Sequence, residues 1–487
     1  MSHVIADWLL RQASSHPEQE AVVAGGRSLT YGELDERVAS VAAGLAAAGV
    51  GRGDRVAVLA RNSLELVEVV HALPRLGAVL MPINLRLTAA EIAWQLEDSR
   101  AARVLAHPDN LSLAKEAAHL AGLEAPVALP VLGSGGPPPI GLHGADDTHS
   151  LIYTSGTTGR PKGAILTYAN FLASAIGSAQ NLGVAGNDRW LACLPLFHVG
   201  GLSIVLRSVI YGTSIVVAPG FDEASVARSL VEDRITLVSL VPTMLRRLLE
   251  ASPGRAPESL RAALIGGGPV PRPLLEAALE RGYRVVQTYG LTEAASQVAT
   301  LSIDDAIAHT GAAGRPLVTV EMRVDAAAGE AGEILVRGPV VSPGYVDGNS
   351  VSPSRDTDGW FHTGDIGRLD GDGFLYVLDR RDDLIVSGGE NVYPAEVEAV
   401  LLGHPKVTTA AVVGLQDPEW GQIVAAAIVA VSDFEESELA AWARGRLAAY
   451  KVPRRWLAVS ELPETASGKV RRHAVREMFA APQPPRT

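Results

Sequence analysis

From residue 55 onward, short apolar runs rich in β-branched residues alternate with longer amphipathic stretches, beginning with Arg55 to Leu59 and then Leu64 to Leu76. The same pattern predicts strands at Ala78 to Ile83, Ala102 to Leu105, Ser150 to Tyr153, Ser214 to Ala218, Thr236 to Val241, Ala262 to Ile265 and Tyr283 to Thr288. Most of them precede a helical pattern, which predicts parallel α/β layers joined by crossover helices. Ligands of such sheets collect beyond the carboxyl ends of the strands. Three polar or glycine-rich stretches sit at that place, each after a predicted strand: 154–163, Gly266-Gly267-Gly268 and Tyr289-Gly290.

After residue 311 the pattern shifts to strand-like segments, Val318 to Val324, Gly332 to Val336 and Gly373 to Leu378, which predict a β-rich subdomain. Beyond the charged cluster Asp379-Arg380-Arg381-Asp382-Asp383 come further strands, Thr408 to Val413 and Ile423 to Val431, and helices, Ala395 to Leu402 and Glu436 to Arg446. The expected fold class is α/β: a large N-terminal domain over 1–381 with parallel α/β sheets and a β-rich subdomain, then a small α+β C-terminal domain over 382–487. A length of 487 residues agrees with more than one core.

Composition narrows the function class. Hydrophobic residues at 47% and charged residues at 20% describe a globular chain, and the net charge of -12 argues against general affinity for nucleic acid or anionic membrane. Any anionic ligand must therefore be held by local Lys and Arg. Cys193 is the single cysteine, which excludes an internal disulfide and a cysteine-rich metal site and suits a buried small hydrophobe. No stretch approaches the ~18 apolar residues of a membrane span, and the first residues lack a secretory pattern, so a cytoplasmic protein is expected. A homo-oligomer stays open.

The run Tyr153-Thr154-Ser155-Gly156-Thr157-Thr158-Gly159-Arg160-Pro161-Lys162-Gly163 carries the densest chemistry. Its glycines let backbone N–H groups turn inward, its hydroxyls donate, and Arg160 and Lys162 add positive charge, as a phosphate-binding loop requires. A turn-rich linker shares this composition. A Walker A loop does not fit, because Pro161 separates the basic pair and Gly163 follows Lys162.

This loop resembles that of the adenylate-forming superfamily, which includes acyl-CoA synthetases, luciferases and peptide-synthetase adenylation domains. The resemblance implies that Thr154, Ser155, Gly156, Thr157, Thr158, Gly159 and Lys162 bind ATP phosphates, and that Gly266, Gly267 and Gly268 line adenine. Gln287-Thr288-Tyr289-Gly290-Leu291-Thr292-Glu293 matches the Tyr-Gly-x-Thr-Glu motif. It implies that Tyr289 stacks on adenine beside Gly290, that Thr292 contacts the α-phosphate and that Glu293 is the Mg²⁺ ligand; read alone, Glu293 better suits a helix start, stabilised by the helix dipole. Thr363-Gly364-Asp365 and Arg380 match the ribose-binding pair. Pro463 to Lys469 matches the motif of the catalytic lysine, here Lys469. Ser387, Gly388 and Gly389 fit the segment that lines the CoA tunnel after the mobile C-terminal domain swings about a hinge at Asp382. The cosubstrates implied are ATP, Mg²⁺ and CoA.

The acid is suggested by Pro195-Leu196-Phe197-His198, where the resemblance sets His198 at the acyl pocket, and by the apolar helical run Gly200 to Tyr211. Arg207 lies among Leu, Val and Ile and needs a partner, yet no acidic residue occurs between Arg189 and Gly220. A substrate with a second carboxylate would supply one. The segments 194–203, 241–245, 266–269, 292–297 and 379–394 resemble the o-succinylbenzoate-CoA ligases of menaquinone biosynthesis, although Gly200 stands where that family often has serine and Asp382 where some members do. That branch implies acid contacts from His198, Ser203, Arg207, Gly290, Ser296 and Gln297. Another acyl- or aryl-CoA synthetase, acting on malonate, benzoate or a short-chain acid, remains the competing reading. An amino-acid adenylation protein would need a pocket aspartate, and Asp222 suits a helix N-cap before Glu223 instead.

Overall fold

The computed structural model of the chain describes residues 4–135, 140–154, 161–268, 270, 272–309, 311–348, 350–379, 384–431, 435–463, 470 and 472–480. It divides into two compact units, one of Met1–Leu85, Ala93–Tyr153 and Gly163–Leu378, the other of Arg86–Ile92, Thr154–Lys162 and Asp379–Thr487.

In the first unit the α/β alternation is realised as predicted. Strands form at Arg55–Leu59 and Ala262–Ile265, and the remaining predicted strands of the parallel layers lie within a few residues of their expected bounds. Among the described residues they join sheets of eight and nine strands. Both sheets are parallel in their interiors, with antiparallel pairs added at their edges, as where Val285–Leu291 meets Ser296–Thr300 and where Lys162–Thr167 meets Gly344–Asp347; the other edge of the eight-stranded sheet, Val127–Ala128, stays parallel. The core lies around helices apolar on nearly every side. Helix Leu64–Arg75 buries every residue except Glu65, and Val199–Tyr211 buries most of its length, including Arg207. Leu34, Val38, Leu73, Leu80, Leu202, Leu206 and Ile215 belong to one cluster that joins these helices to both large sheets. Cys193 is fully buried, as expected of a small hydrophobe, and burial pushes its thiol up to about 12.

The β-rich subdomain is a four-stranded antiparallel sheet of Glu321–Asp325, Gly332–Arg337, Phe361–Leu369 and Leu375–Asp379. Its first strand starts later than the expected Val318, which is well exposed, because Leu317 and Val320 close a turn there.

The second unit is built on the long hairpin of Val407–Asp417 and Gly421–Ala430, flanked by helices Pro394–Leu402, Glu436–Arg444 and Arg472–Ala480. Its turn Gly388-Gly389 has φ of 58° and 84°, which only glycine adopts freely, and joins strands Ile385–Ser387 and Glu390–Val392 by two residues. Lys451 is buried within this unit and ion-paired to Glu396 at 2.7 Å and Glu91 at 2.9 Å. Burial alone would lower its pKa, but Glu396, Tyr450 and Glu91 raise it, so it stays charged. Among the described residues no helix is long and apolar enough to cross a membrane.

Candidate active site

Two neighbouring parallel strands of the nine-stranded sheet, Ala262–Ile265 and Val285–Leu291, bring Gly266-Gly267-Gly268 and Tyr289-Gly290 to one end of the sheet. A Cβ on Gly266 would lie 2.8 Å from Thr288 Cγ2, so these two segments are in direct contact. The chain then turns through Thr292–Ala294 into the antiparallel strand Ser296–Thr300. The turn is tight: a Cβ on Gly290 would come within 1.6 Å of the Ser296 carbonyl oxygen, which requires glycine there. Ala295 and Ser296 hold φ of 49° and 100°. Strain of this kind in non-glycine residues persists only where the surroundings impose it, and it gathers at functional sites. Glu293 therefore sits in a single helical turn, not at the start of a long helix whose dipole would account for it.

Two tyrosines fix the acidic residues. The Tyr289 hydroxyl donates to Asp365 Oδ2 at 2.7 Å, and the Tyr345 hydroxyl donates to Glu293 Oε1 at 2.9 Å. The Glu293 carbonyl also accepts from the Ser342 N–H at 2.7 Å. Tyr345 lies opposite Ala164 on strand Lys162–Thr167, which the glycine-rich run leads into. Glu293 is thus tied to the eight-stranded sheet and Asp365, through Tyr289, to the nine-stranded one. The structure brings Tyr289, Gly290, Glu293 and Asp365 together. Tyr345 carried no local signal in the sequence.

Thr154 ends strand Thr148–Thr154 and its hydroxyl donates to the Lys162 carbonyl at 3.5 Å. Ser155, Gly156, Thr157, Thr158, Gly159, Arg380, Asp382 and Lys469 lie outside the described residues. Ser387, Gly388 and Gly389 lie in the second unit's hairpin, where the Gly388 N–H donates to the Trp420 carbonyl at 2.9 Å.

The predicted acyl-binding residues meet at helix Val199–Tyr211. His198 is its N-cap residue and packs against Phe197, ring centres 4.6 Å apart. Asn62, which the sequence reading missed, clamps the loop before it: its amide donates to the Leu194 carbonyl at 2.8 Å while its oxygen accepts from the Leu196 N–H at 2.9 Å. Arg207 is 3% exposed. Its Nη2 donates to Ser174 Oγ at 2.9 Å, and that hydroxyl donates to the Ala295 carbonyl at 2.7 Å, next to Ser296. No described carboxylate pairs with the guanidinium, and Arg207 Nε, Ser203 Oγ and both Gln297 amide atoms are buried without a described hydrogen-bond partner. Burial draws the Arg207 pKa below the ordinary arginine value. A buried guanidinium with this surrounding favours an anionic ligand.

Among the described residues no group of three His, Cys, Asp or Glu side chains could hold a metal by itself. The one carboxylate of Glu293 fits Mg²⁺, which commonly takes one or two protein oxygens and completes its shell with phosphate and water.

Residues 9–346 match the family model of AMP-binding enzymes, and residues 396–469 match that of the AMP-binding enzyme C-terminal domain. The 2-succinylbenzoate–CoA ligase of Bacillus mycoides (strain KBAB4) is 41% identical over 482 residues, covering 97% of this chain and 98% of its own. That of Bacillus cereus (strain Q1) is 42% identical with the same coverage. The solved o-succinylbenzoate CoA synthetase of Bacillus subtilis, a double mutant bound with its product analogue OSB-NCoA, is 40% identical with a TM-score of 0.92 over 98% of this chain and 99% of that one. The same enzyme in complex with ATP and magnesium ion gives a TM-score of 0.74 over 98% and 100%. The chain belongs to the AMP-binding, adenylate-forming enzymes and, within them, to the 2-succinylbenzoate–CoA ligase family.

Proposed function

We propose that the chain is an AMP-forming acid–thiol ligase that activates 2-succinylbenzoate with ATP to an acyl-adenylate and passes the acyl group to CoA. In the first half-reaction the substrate carboxylate attacks the α-phosphate and pyrophosphate leaves. In the second, the CoA thiol attacks the acyl carbon and AMP leaves. Both transfers run between anions, so the protein's work is orientation and charge neutralisation.

Tyr289, Gly290 and Gly266-Gly267-Gly268 cradle adenine, Asp365 and Arg380 hold the ribose, and Thr154 to Gly159 with Lys162 hold the phosphates. Thr292 meets the α-phosphate and Glu293 would hold Mg²⁺, whose charge offsets that of the phosphates. Lys469 stabilises the charge that builds during adenylation. The domains are 1–381 and 382–487, hinged at Asp382, and Ser387, Gly388 and Gly389 serve CoA in the second half-reaction.

The observation that carries the substrate assignment is Arg207, a buried guanidinium whose described partner is the neutral Ser174 hydroxyl. It takes the benzoate carboxylate, with Ser203, Ser296 and Gln297 beside it, while His198 lies nearer the succinyl carboxylate that reacts. Pyrophosphate exchange into ATP tests the reading. O-succinylbenzoate should drive the exchange; exchange with malonate or benzoate and not with o-succinylbenzoate would assign the pocket to another acid.

A further inference from the structure

We infer that Glu333 is a positioning residue for the nucleotide, holding the Thr363-Gly364-Asp365 turn from behind. The inference rests on the reading of Asp365 as the ribose-binding carboxylate.

The turn interrupts a regular strand pair. Glu333 faces Ile366 and Leu335 faces His362, so two steps along one strand are matched by four along the other. The extra residues bulge out between them, and bulges of this kind re-aim a side chain away from the sheet. A bulge loses ladder hydrogen bonds, and side chains replace them here. The Gly364 N–H donates to Glu333 Oε1 at 2.8 Å, the Asp365 N–H donates to Thr363 Oγ1 at 3.0 Å, and that hydroxyl donates to the Ile334 carbonyl at 2.7 Å. Glu333 is the charged member of the set, and an amide-to-carboxylate bond is stronger than a neutral one.

Its second oxygen is held as well. Glu333 Oε2 lies 3.1 Å from His362 Nδ1, and His362 Nε2 lies 3.3 Å from Asp356 Oδ2. Asp356 Oδ1 in turn accepts the Trp360 N–H at 2.8 Å and the Asp358 N–H at 2.9 Å. The chain Asp356–His362–Glu333 thus locks the carboxylate's orientation at Gly364, one residue before Asp365, whose own carboxylate is held by Tyr289. Glu333 touches neither substrate nor reacting atoms; it acts through Asp365.

Steady-state kinetics of the full-length enzyme, with thermal melts of each variant, test this. Glu333→Ala removes the acceptor of the Gly364 N–H, and the ATP KM should rise about tenfold while the KM for o-succinylbenzoate stays within about twofold. Glu333→Gln keeps an acceptor of the same size and should bring the ATP KM back to within about threefold of wild type. Equal rises in the ATP and o-succinylbenzoate KM values, or an unchanged ATP KM in Glu333→Ala, would overturn the inference while leaving the nucleotide reading intact. Asp365→Ala run alongside separates the two ideas, since a wild-type ATP KM in that variant would overturn the reading of Asp365 itself.

Discussion

The Tyr289 hydroxyl donates to Asp365 Oδ2 at 2.7 Å, which joins the last turn of a strand in the nine-stranded sheet to the bulge of the four-stranded one. Two motifs far apart in sequence become one unit through this bond. Tyr289→Phe keeps the ring and removes only the donor. A hydrogen bond to a charged group contributes about 1.5–3 kcal/mol, so the ATP KM should rise roughly tenfold. Initial rates against ATP concentration check this; an unchanged ATP KM would make the bond incidental.

Arg207→Met separates function from structure. A buried charge without a carboxylate partner does not stabilise the fold, and methionine fills much of the same volume, so the melting temperature should hold or rise. For o-succinylbenzoate kcat/KM should fall about a hundredfold, equivalent to the ~3 kcal/mol of a charge-assisted contact, and for an analogue lacking the benzoate carboxylate it should change little. Equal losses on both acids would make Arg207 a structural residue.

Lys469→Ala tests the division of labour between the half-reactions. Acyl-adenylate formation should fall by about a thousandfold, in line with the removal of a transition-state charge contact, while thioester formation from supplied acyl-adenylate should be largely spared. Parallel losses in both steps would contradict the assignment.

Buried histidines set the acid limit. Burial holds His71 down to about 4 and His149 down to about 3, the latter helped by His71 and His143. Both are neutral in the folded protein, and the unfolded chain binds protons at the ordinary histidine value of 6.5. Stability is therefore complete above that pH and is lost as pH falls toward the folded values, by about 2 kcal/mol per histidine at pH 5. Melts at pH 7 and pH 5 should show a clear drop, smaller in His149→Phe; a flat profile would contradict the shifts.

Much of this architecture was legible where local signals agree with the fold. Arg55–Leu59 and Ala262–Ile265 are short apolar runs introduced by a charged residue, Arg55 and Arg261, and both fold as strands with the bounds expected. Asp222 caps helix Glu223–Glu232 by accepting from the Ser225 N–H at 2.8 Å, as its place before Glu223 predicted. The strand expected to end at Thr288 continues to Leu291, because Ser296–Thr300 folds back and pairs with it. That partner is set by a strained turn at Ala295 and Ser296 which no propensity announces. Asn62, Tyr345 and Glu333 act through tertiary hydrogen bonds to backbone or carboxylate across 134, 52 and 31 residues of sequence respectively. That Arg207 is buried without a described carboxylate partner was readable, because a charge in an apolar helix with no nearby acid is itself a signal. Lys451 was not, since its partners Glu91 and Glu396 are distant in the chain.

The most direct measurement supplies the purified full-length chain with ATP, Mg²⁺, CoA and a panel of acids, and follows AMP release together with thioester mass. O-succinylbenzoate should give AMP and o-succinylbenzoyl-CoA in equal amounts and faster than benzoate, malonate or short-chain acids. AMP release with one of those acids and not with o-succinylbenzoate, or ADP in place of AMP, would contradict the account.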